Sequence, residues 1–452
     1  MNFVIIGGDA AGMSAASRAK RKKPDFDVTV LEQTKDVSYS ACGMPYTIAD
    51  AERNMEELVV RKAEVFREKQ GINLLTGHCV TGVDREKKTL SGVRDNGTFF
   101  DLPYDKLLFA TGARAFKPLL PGFDLPGVMK LKSLEEGRMI KDYIQSCPVE
   151  KAVIIGMGYV GLEMCEALVA LGISVEMIKL RTGLLPWMAK ELSDIVKAEV
   201  ESKGVLLHMG RKIKRIDQTN HGTGASLAVV CDDRTVYGDM VLVAIGVVPN
   251  SEIAKNAGIA LGAGNAISVD DALLSSDPHI YAAGDCADAI HVVTGEKTWI
   301  PLALRANRSG WAVADNVCGK RVQLDGIAGT TVFRVFGCEV ARTGLNSAEA
   351  AAAGFEPVEV TIQSRSRAHA HPGSSTIFVQ MVGDKKSARL LGVQMVGREG
   401  VTHRIDAPAV ALHAKMSVER FFQSDLAYAP PFGPVWDPML TAANQLLKKM
   451  SA

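Results

Sequence analysis

The chain has 452 residues, room for about three domains at roughly 150 residues each, and its 47% hydrophobic and 23% charged content is globular and excludes extended disorder. Its 52 basic against 51 acidic side chains leave a net charge of +1, so nothing in the overall balance draws a nucleic acid. No apolar run approaches the ~20 residues of a membrane helix, and the first eight residues lack the basic start and apolar length of a secretory leader, so a soluble cytoplasmic protein with no membrane partner is expected.

In chain order, the first element is a short strand, Val4-Ile5-Ile6, running into Gly7-Gly8-Asp9-Ala10-Ala11-Gly12 and a helical stretch, then a second strand, Val28–Leu31, ending at Glu32. Glycines in a strand–turn–helix let the backbone bend tightly and approach a pyrophosphate at the helix N-terminus. An acidic residue about twenty positions later suits a ribose hydroxyl. Gly7, Gly8, Ala11, Gly12 and Glu32 are therefore candidate dinucleotide contacts, although Asp9 stands at the middle position, where glycine usually permits close approach. Ser14, Arg18 and Arg21 share one face of the first helix, a cationic face suited to phosphates. A solvated helix end reads the same way, because Lys20, Lys22 and Lys23 make the whole run basic.

Leu107–Phe109 leads to Ala110-Thr111-Gly112 and reads as a buried strand whose last glycine lets the chain pass a bound nucleotide. The first device then returns 149 residues on, as Val153–Ile155 followed by Gly156-Met157-Gly158-Tyr159-Val160-Gly161-Leu162-Glu163. Its second strand, Ile173–Ile178, ends at Lys179, with Arg181 close behind. Cations there accommodate a 2′-phosphate, which favours NADPH and leaves NADH open. Val241–Gly246 repeats Leu107–Gly112 at an offset of 134, so two matched halves predict two dinucleotides. Ile280–Ala283 then delivers Gly284-Asp285, a carboxylate able to accept from a ribityl hydroxyl. Among the eight cysteines the smallest spacing is 18, which gives no metal-binding pattern, and no metal is expected.

The motifs GGDAAG with Glu32, FATG, GMGYVGLE and YAAGDCAD, in this order, resemble the flavoproteins of the pyridine nucleotide–disulfide oxidoreductase family over essentially the whole chain. The resemblance implies an α/β fold with two Rossmann-like domains, FAD on the first and a nicotinamide nucleotide on the second, plus an α+β C-terminal domain that makes a homodimer. It places an FAD domain at 1–118 and 246–320, the NAD(P) domain at 119–245 and the dimerisation domain at 321–452. Strand-like Thr331–Phe336, Phe355–Thr361, Ile377–Val382 and Leu390–Val396 fit a sheet in that last part. Glu163 is expected at the nicotinamide end, Tyr159 as a cover over the flavin, and Gly246 beside the nucleotide.

Ser38-Tyr39-Ser40-Ala41-Cys42-Gly43-Met44-Pro45 resembles the SFxxCxxP signature of the single-cysteine branch, which contains coenzyme A-disulfide reductases and NADH oxidases and peroxidases. Only a thiolate attacks a disulfide, and a thiol of pKa roughly 8.5 needs help to become one; an adjoining oxidised flavin and a helix N-terminus are expected to supply it. Cys42 would then hold half of the substrate as a mixed disulfide. The resemblance also assigns substrate contacts to the Ser14/Arg18/Arg21 face, Ser38 and Lys69, and Asn307 and Arg308 are added from their place in PLALRANR. It gives Tyr428, in the segment AYAPP, the role of a proton donor supplied by the partner subunit. His371 stands where a substrate-site tyrosine is usual. Ala10 replaces the histidine of the peroxidases. The expected activity is NAD(P)H-dependent reduction of a small disulfide, coenzyme A disulfide above all, with persulfides and polysulfides feasible. An oxygen-consuming oxidase cycling Cys42 through a sulfenic acid and a flavin redox sensor remain open.

Overall fold

The computed structural model describes residues 1–219 and 226–451. Its helices include α1 (Ala10–Lys22), α2 (Met44–Ile48), α3 (Leu134–Ser146), α4 (Tyr159–Ala170), α5 (Lys190–Ser202), α6 (Glu252–Asn256) and α7 (Ala303–Val317).

Two five-stranded parallel sheets repeat one architecture. The first runs in the order 280–282, 106–109, 2–6, 27–31, 73–75. The second runs 206–209, 174–179, 151–155, 240–243, 128–130. Parallel strands covered on both faces read as near-continuous apolar runs, and Phe3, Val4, Ile5, Leu107, Leu108 and Phe109 are buried in the first sheet as Ala152–Ile155 and Met240–Val243 are in the second. Each of the Val, Leu, Ile, Met and Phe side chains contributes about 1.5–3 kcal/mol on burial. Because 280–282 pairs with 106–109, the first sheet is completed by chain that lies beyond the second. In both sheets the strand carrying the glycine turn lies between neighbours on its two sides, and the cleft opens at their carboxyl ends, where a doubly wound sheet binds ligands.

The C-terminal part is an antiparallel sheet in the order 331–335, 338–344, 390–397, 376–384, 357–365. It contains the four expected strands and one not foreseen, Cys338–Gly344. This sheet is fastened to the second parallel unit: Glu199 of α5 accepts from the Gly337 N–H at 3.0 Å, Glu166 of α4 from the Phe336 N–H at 2.8 Å, and Gln394 from the Ala189 N–H at 2.8 Å.

Helix α3 ties the second unit to the chain around Cys42. Arg138 grips Asp36 through both carboxylate oxygens, at 2.7 and 2.8 Å. Lys141, buried, donates to the carbonyls of Thr47, Asp50 and Arg53. A Cβ at Gly137 would press on the side chains of Met55 and Met44, so α3 packs closely against that segment.

Candidate functional site

One cleft of about 1640 Å³ is lined by both glycine turns, the Cys42 segment, the start of α7 and the edge of the C-terminal sheet. That exceeds the roughly 300–1,000 Å³ of a single small-ligand pocket and suits more than one bound group. The two halves are built alike. A Cβ at Gly7 would strike the Ala110 carbonyl and one at Gly12 the Gly7 carbonyl; a Cβ at Gly156 would strike the Ala244 carbonyl and one at Gly161 that of Gly156. Each turn is thus folded tightly against the strand that ends beside it, and the amides at the start of α1 and α4 face the cleft as a phosphate cradle.

Glu32 accepts from the Gly8 N–H and the Thr34 N–H, both at 2.8 Å, which holds its carboxylate at the end of the second strand. Thr111, Gly112, Gly246, Gly284 and Asp285 line the same cleft, and Asp285 is paired with Lys132 at 3.0 Å. These residues fit an extended flavin nucleotide: amides for its phosphates, Glu32 for a ribose, Asp285 for a polyol. Tyr159 lies at the other side of the cleft, its ring 5.2 Å from Phe333 and 5.9 Å from Trp187. Glu163, one turn further along α4, accepts from the Tyr46 hydroxyl at 3.0 Å, and burial raises its carboxyl above the usual range.

Cys42 is exposed on the cleft wall in the short turn Ala41–Gly43. Among the described residues that line the cleft it is the only cysteine. Cys286 is buried beneath, its thiol directed at the Phe109 and Ala283 carbonyls at 3.3 Å. The protein around Cys42 pushes its thiol up, through lost hydration first and then Glu163, with Lys132 pulling the other way. Helix α2 beyond it has five residues, too short for an appreciable dipole, so the expected help from a helix N-terminus is slight. Lys132 carries that part instead. It went unnoticed in the sequence although it stands directly before a capping box, Ser133 with Glu136, which marks the start of a helix.

The remaining sequence candidates divide. Ser14, Arg21, Ser38 and Asn307 line the cleft, and the Ser14 hydroxyl donates to Asn307 at 2.8 Å. Arg18 lies outside it: its guanidinium pairs with Asp315 at 2.7 and 2.8 Å and lies 5.3 Å over the Trp311 ring. Lys69, Arg181 and Arg308 are exposed elsewhere. Lys179 is half-buried, donating to the Leu184 carbonyl at 2.6 Å, and burial with nearby Arg181 lowers its pKa to about 8. Arg61 and Trp311 line the cleft and had no signal in the sequence, being a cation beside Lys62 in a stretch without a motif and a lone aromatic on a helix. Tyr428 and His371 lie outside this chain's cleft. The Ala368 N–H donates to the Pro430 carbonyl at 3.0 Å, so their two segments form one surface, where Tyr428, Phe432, Val435 and Trp436 are exposed. Among the described residues no helix is long and apolar enough to cross a membrane, and no group of three metal-binding side chains occurs.

Residues 1–310 match the family described as pyridine nucleotide-disulphide oxidoreductase, and residues 330–439 match its dimerisation domain. A protein of Pyrococcus abyssi named NAD(P)H sulfur oxidoreductase (CoA-dependent) is 38% identical over 98% of this chain and 97% of its own length. An NADH oxidase of Methanocaldococcus jannaschii is 32% identical over 100% of both. The solved structure of a NAD-dependent persulfide reductase from A. fulgidus superposes with a TM-score of 0.95 at 37% identity, covering 100% of this chain and 84% of that one. The doubled cradle, the lone cleft cysteine and these matches agree: the chain belongs to the pyridine nucleotide-disulphide oxidoreductase family, enzymes that work with FAD and NAD(P)H.

Proposed function

We propose that this enzyme uses NAD(P)H to reduce the S–S bond of small disulfides, coenzyme A disulfide first among them and persulfides next. The observation that carries the reading is the single exposed Cys42 in a cleft that also holds both nucleotide cradles. Arg21 and Arg61 supply cations on that cleft for a phosphate-bearing substrate, and Ser14, Ser38 and Asn307 supply hydrogen bonds. The names of the Pyrococcus and A. fulgidus relatives, CoA-dependent sulfur oxidoreductase and persulfide reductase, point the same way.

The Cys42 thiolate attacks one sulfur; a Cys42–S bond forms as the substrate S–S bond breaks, and the expelled thiolate takes up a proton. Bound FAD supplies the relay of one electron pair from nicotinamide to the Cys42 side, so that NAD(P)H, a proton and a disulfide become NAD(P)⁺ and two thiols. Lys132 favours the thiolate by charge, and Glu163, held by Tyr46, stands where the nicotinamide end is expected. Tyr428 and His371, on the dimerisation-domain surface, belong to the site of the partner subunit in this reading, and Tyr428 protonates the leaving thiolate there.

The decisive experiment is anaerobic NAD(P)H consumption by the purified yellow protein with and without coenzyme A disulfide, set against the aerobic rate without it. Fast anaerobic turnover that needs the disulfide, lost in Cys42→Ser while FAD is retained, is expected. Aerobic consumption alone would mean an oxidase, the activity named for the M. jannaschii relative.

A further inference from the structure

Of the three glycines that define the turn, the two copies differ at one, Asp9 against Gly158, and the structure shows what that difference does. Gly158 caps α4 with backbone angles of −88° and −169°, and a Cβ there would meet nothing within 4 Å. The equivalent cap of α1 is Asp9, at −109° and −148°. Its side chain occupies, in the first cradle, the space the second leaves open. The Asp9 side chain lines the cleft but caps none of the free amides of α1; among the described residues its carboxylate accepts one long hydrogen bond, from the Tyr39 N–H at 3.3 Å. Those amides therefore stay available to a phosphate, and a carboxyl group is set beside them.

A carboxylate and a pyrophosphate cannot both keep full negative charge at such close quarters. The charged and titratable groups facing Asp9 are Glu32 at the end of its strand, Asp285 after strand 280–282, Lys132 before α3, and Tyr39 and Cys42 of the redox segment. Three carboxylates thus share one cation. Burial, with Glu32 and Asp285, already raises Asp9 to about 6 against the opposing pull of the Tyr39 amide and Lys132. A dinucleotide pyrophosphate adds charge of the same sign and moves it further up.

We propose that Asp9 is protonated in the FAD-bound protein and donates a hydrogen bond to the dinucleotide phosphates, so that binding FAD takes up one proton and retention of FAD weakens as pH rises. By linkage, a group whose pKa is higher in the bound state leaves affinity constant below its free pKa and lowers it above that value. FAD affinity is then level up to about pH 6 and falls about tenfold per pH unit above it, until the pKa of the bound state is reached. The departure from glycine in the fingerprint makes the flavin site a proton-linked one.

Equilibrium release of FAD from the holoprotein, read by the fluorescence of free flavin between pH 5.5 and 8.5, tests this without reference to any disulfide, so it stands apart from the identity of the substrate. Wild type is expected to show the dissociation constant rising about tenfold per unit above pH 6. Asp9→Asn keeps a donor without a titration, and is expected to be flat and to hold FAD at least 10-fold more tightly than wild type at pH 8. Asp9→Gly, which restores the fingerprint, is expected to be flat as well and decides the matter should the Asn variant fail to fold. A wild-type profile without slope, or a slope that persists unchanged in a folded variant, would overturn the proposal.

Discussion

Replacing Lys141 by methionine removes a buried charge while keeping much of the side chain's volume. Its ammonium donates to three carbonyls, of Thr47, Asp50 and Arg53, and thereby closes the chain that leaves α2 after Cys42. A hydrogen bond to a charged group is worth about 1.5–3 kcal/mol. Part of the loss returns, because methionine has no ammonium to desolvate, a cost visible in the depression of the Lys141 pKa by burial. Part returns also because Asp50 and Arg53 lie near the surface and their carbonyls regain water. A net local destabilisation of about 3 kcal/mol remains, and at 1.4 kcal/mol per decade that is roughly 100-fold in the opening equilibrium of the segment. Native-state hydrogen exchange of the holoprotein reads it: amides of 49–57, including Ala49, which donates to Pro45, and Glu57, which donates to Asn54, should exchange about 100-fold faster. Strand 2–6 should not change. Exchange within threefold of wild type throughout 49–57 would refute the claim that α3 holds the redox segment in place.

Two further predictions bear on the site. With its pKa near 8, Lys179 is a cation below that pH and neutral above it, so the KM for NADPH should rise as pH passes through 8 to 9 while that for NADH stays level; parallel profiles would mean that Lys179 does not meet the 2′-phosphate. Tyr428→Phe should slow disulfide turnover about 100-fold without changing the rate at which nucleotide bleaches the flavin, and an unchanged turnover rate would leave this tyrosine a surface group.

Much of this was legible in the primary structure because the physical demand is local. A strand that must turn back under its own helix leaves no room for a Cβ at Gly7, Gly12, Gly156 or Gly161, so the need for glycine is written at those positions. Parallel strands buried on both faces read as near-continuous apolar runs, and the repeat of such strands revealed the duplication. Cys42 stood out from the short motif around it. The unforeseen strand Cys338–Gly344 had the opposite fate. It is an inner strand and mostly buried, yet carries Glu339, which accepts from the Val401 N–H at 2.9 Å, and Arg342, paired with Glu349 at 2.8 Å; charges that find partners outside the strand erase the apolar pattern.

Which charged groups are available for chemistry was decided only by the tertiary structure. Arg18 and Arg21 are alike in the sequence, on one face of one helix. Asp315, 297 residues after Arg18, neutralises the first and leaves the second on the cleft. Lys132, Arg61 and Tyr46 enter the site from separate segments, because a side chain's partners depend on which elements pack together, and no spacing along the chain encodes that. Motif and apolar pattern marked the two glycine-turn units of this protein, since each strand and turn there answers to its own neighbours. The electrostatics of Cys42 and Asp9 arise from groups on elements scattered along the chain, and only their packing brings those charges within reach of one another.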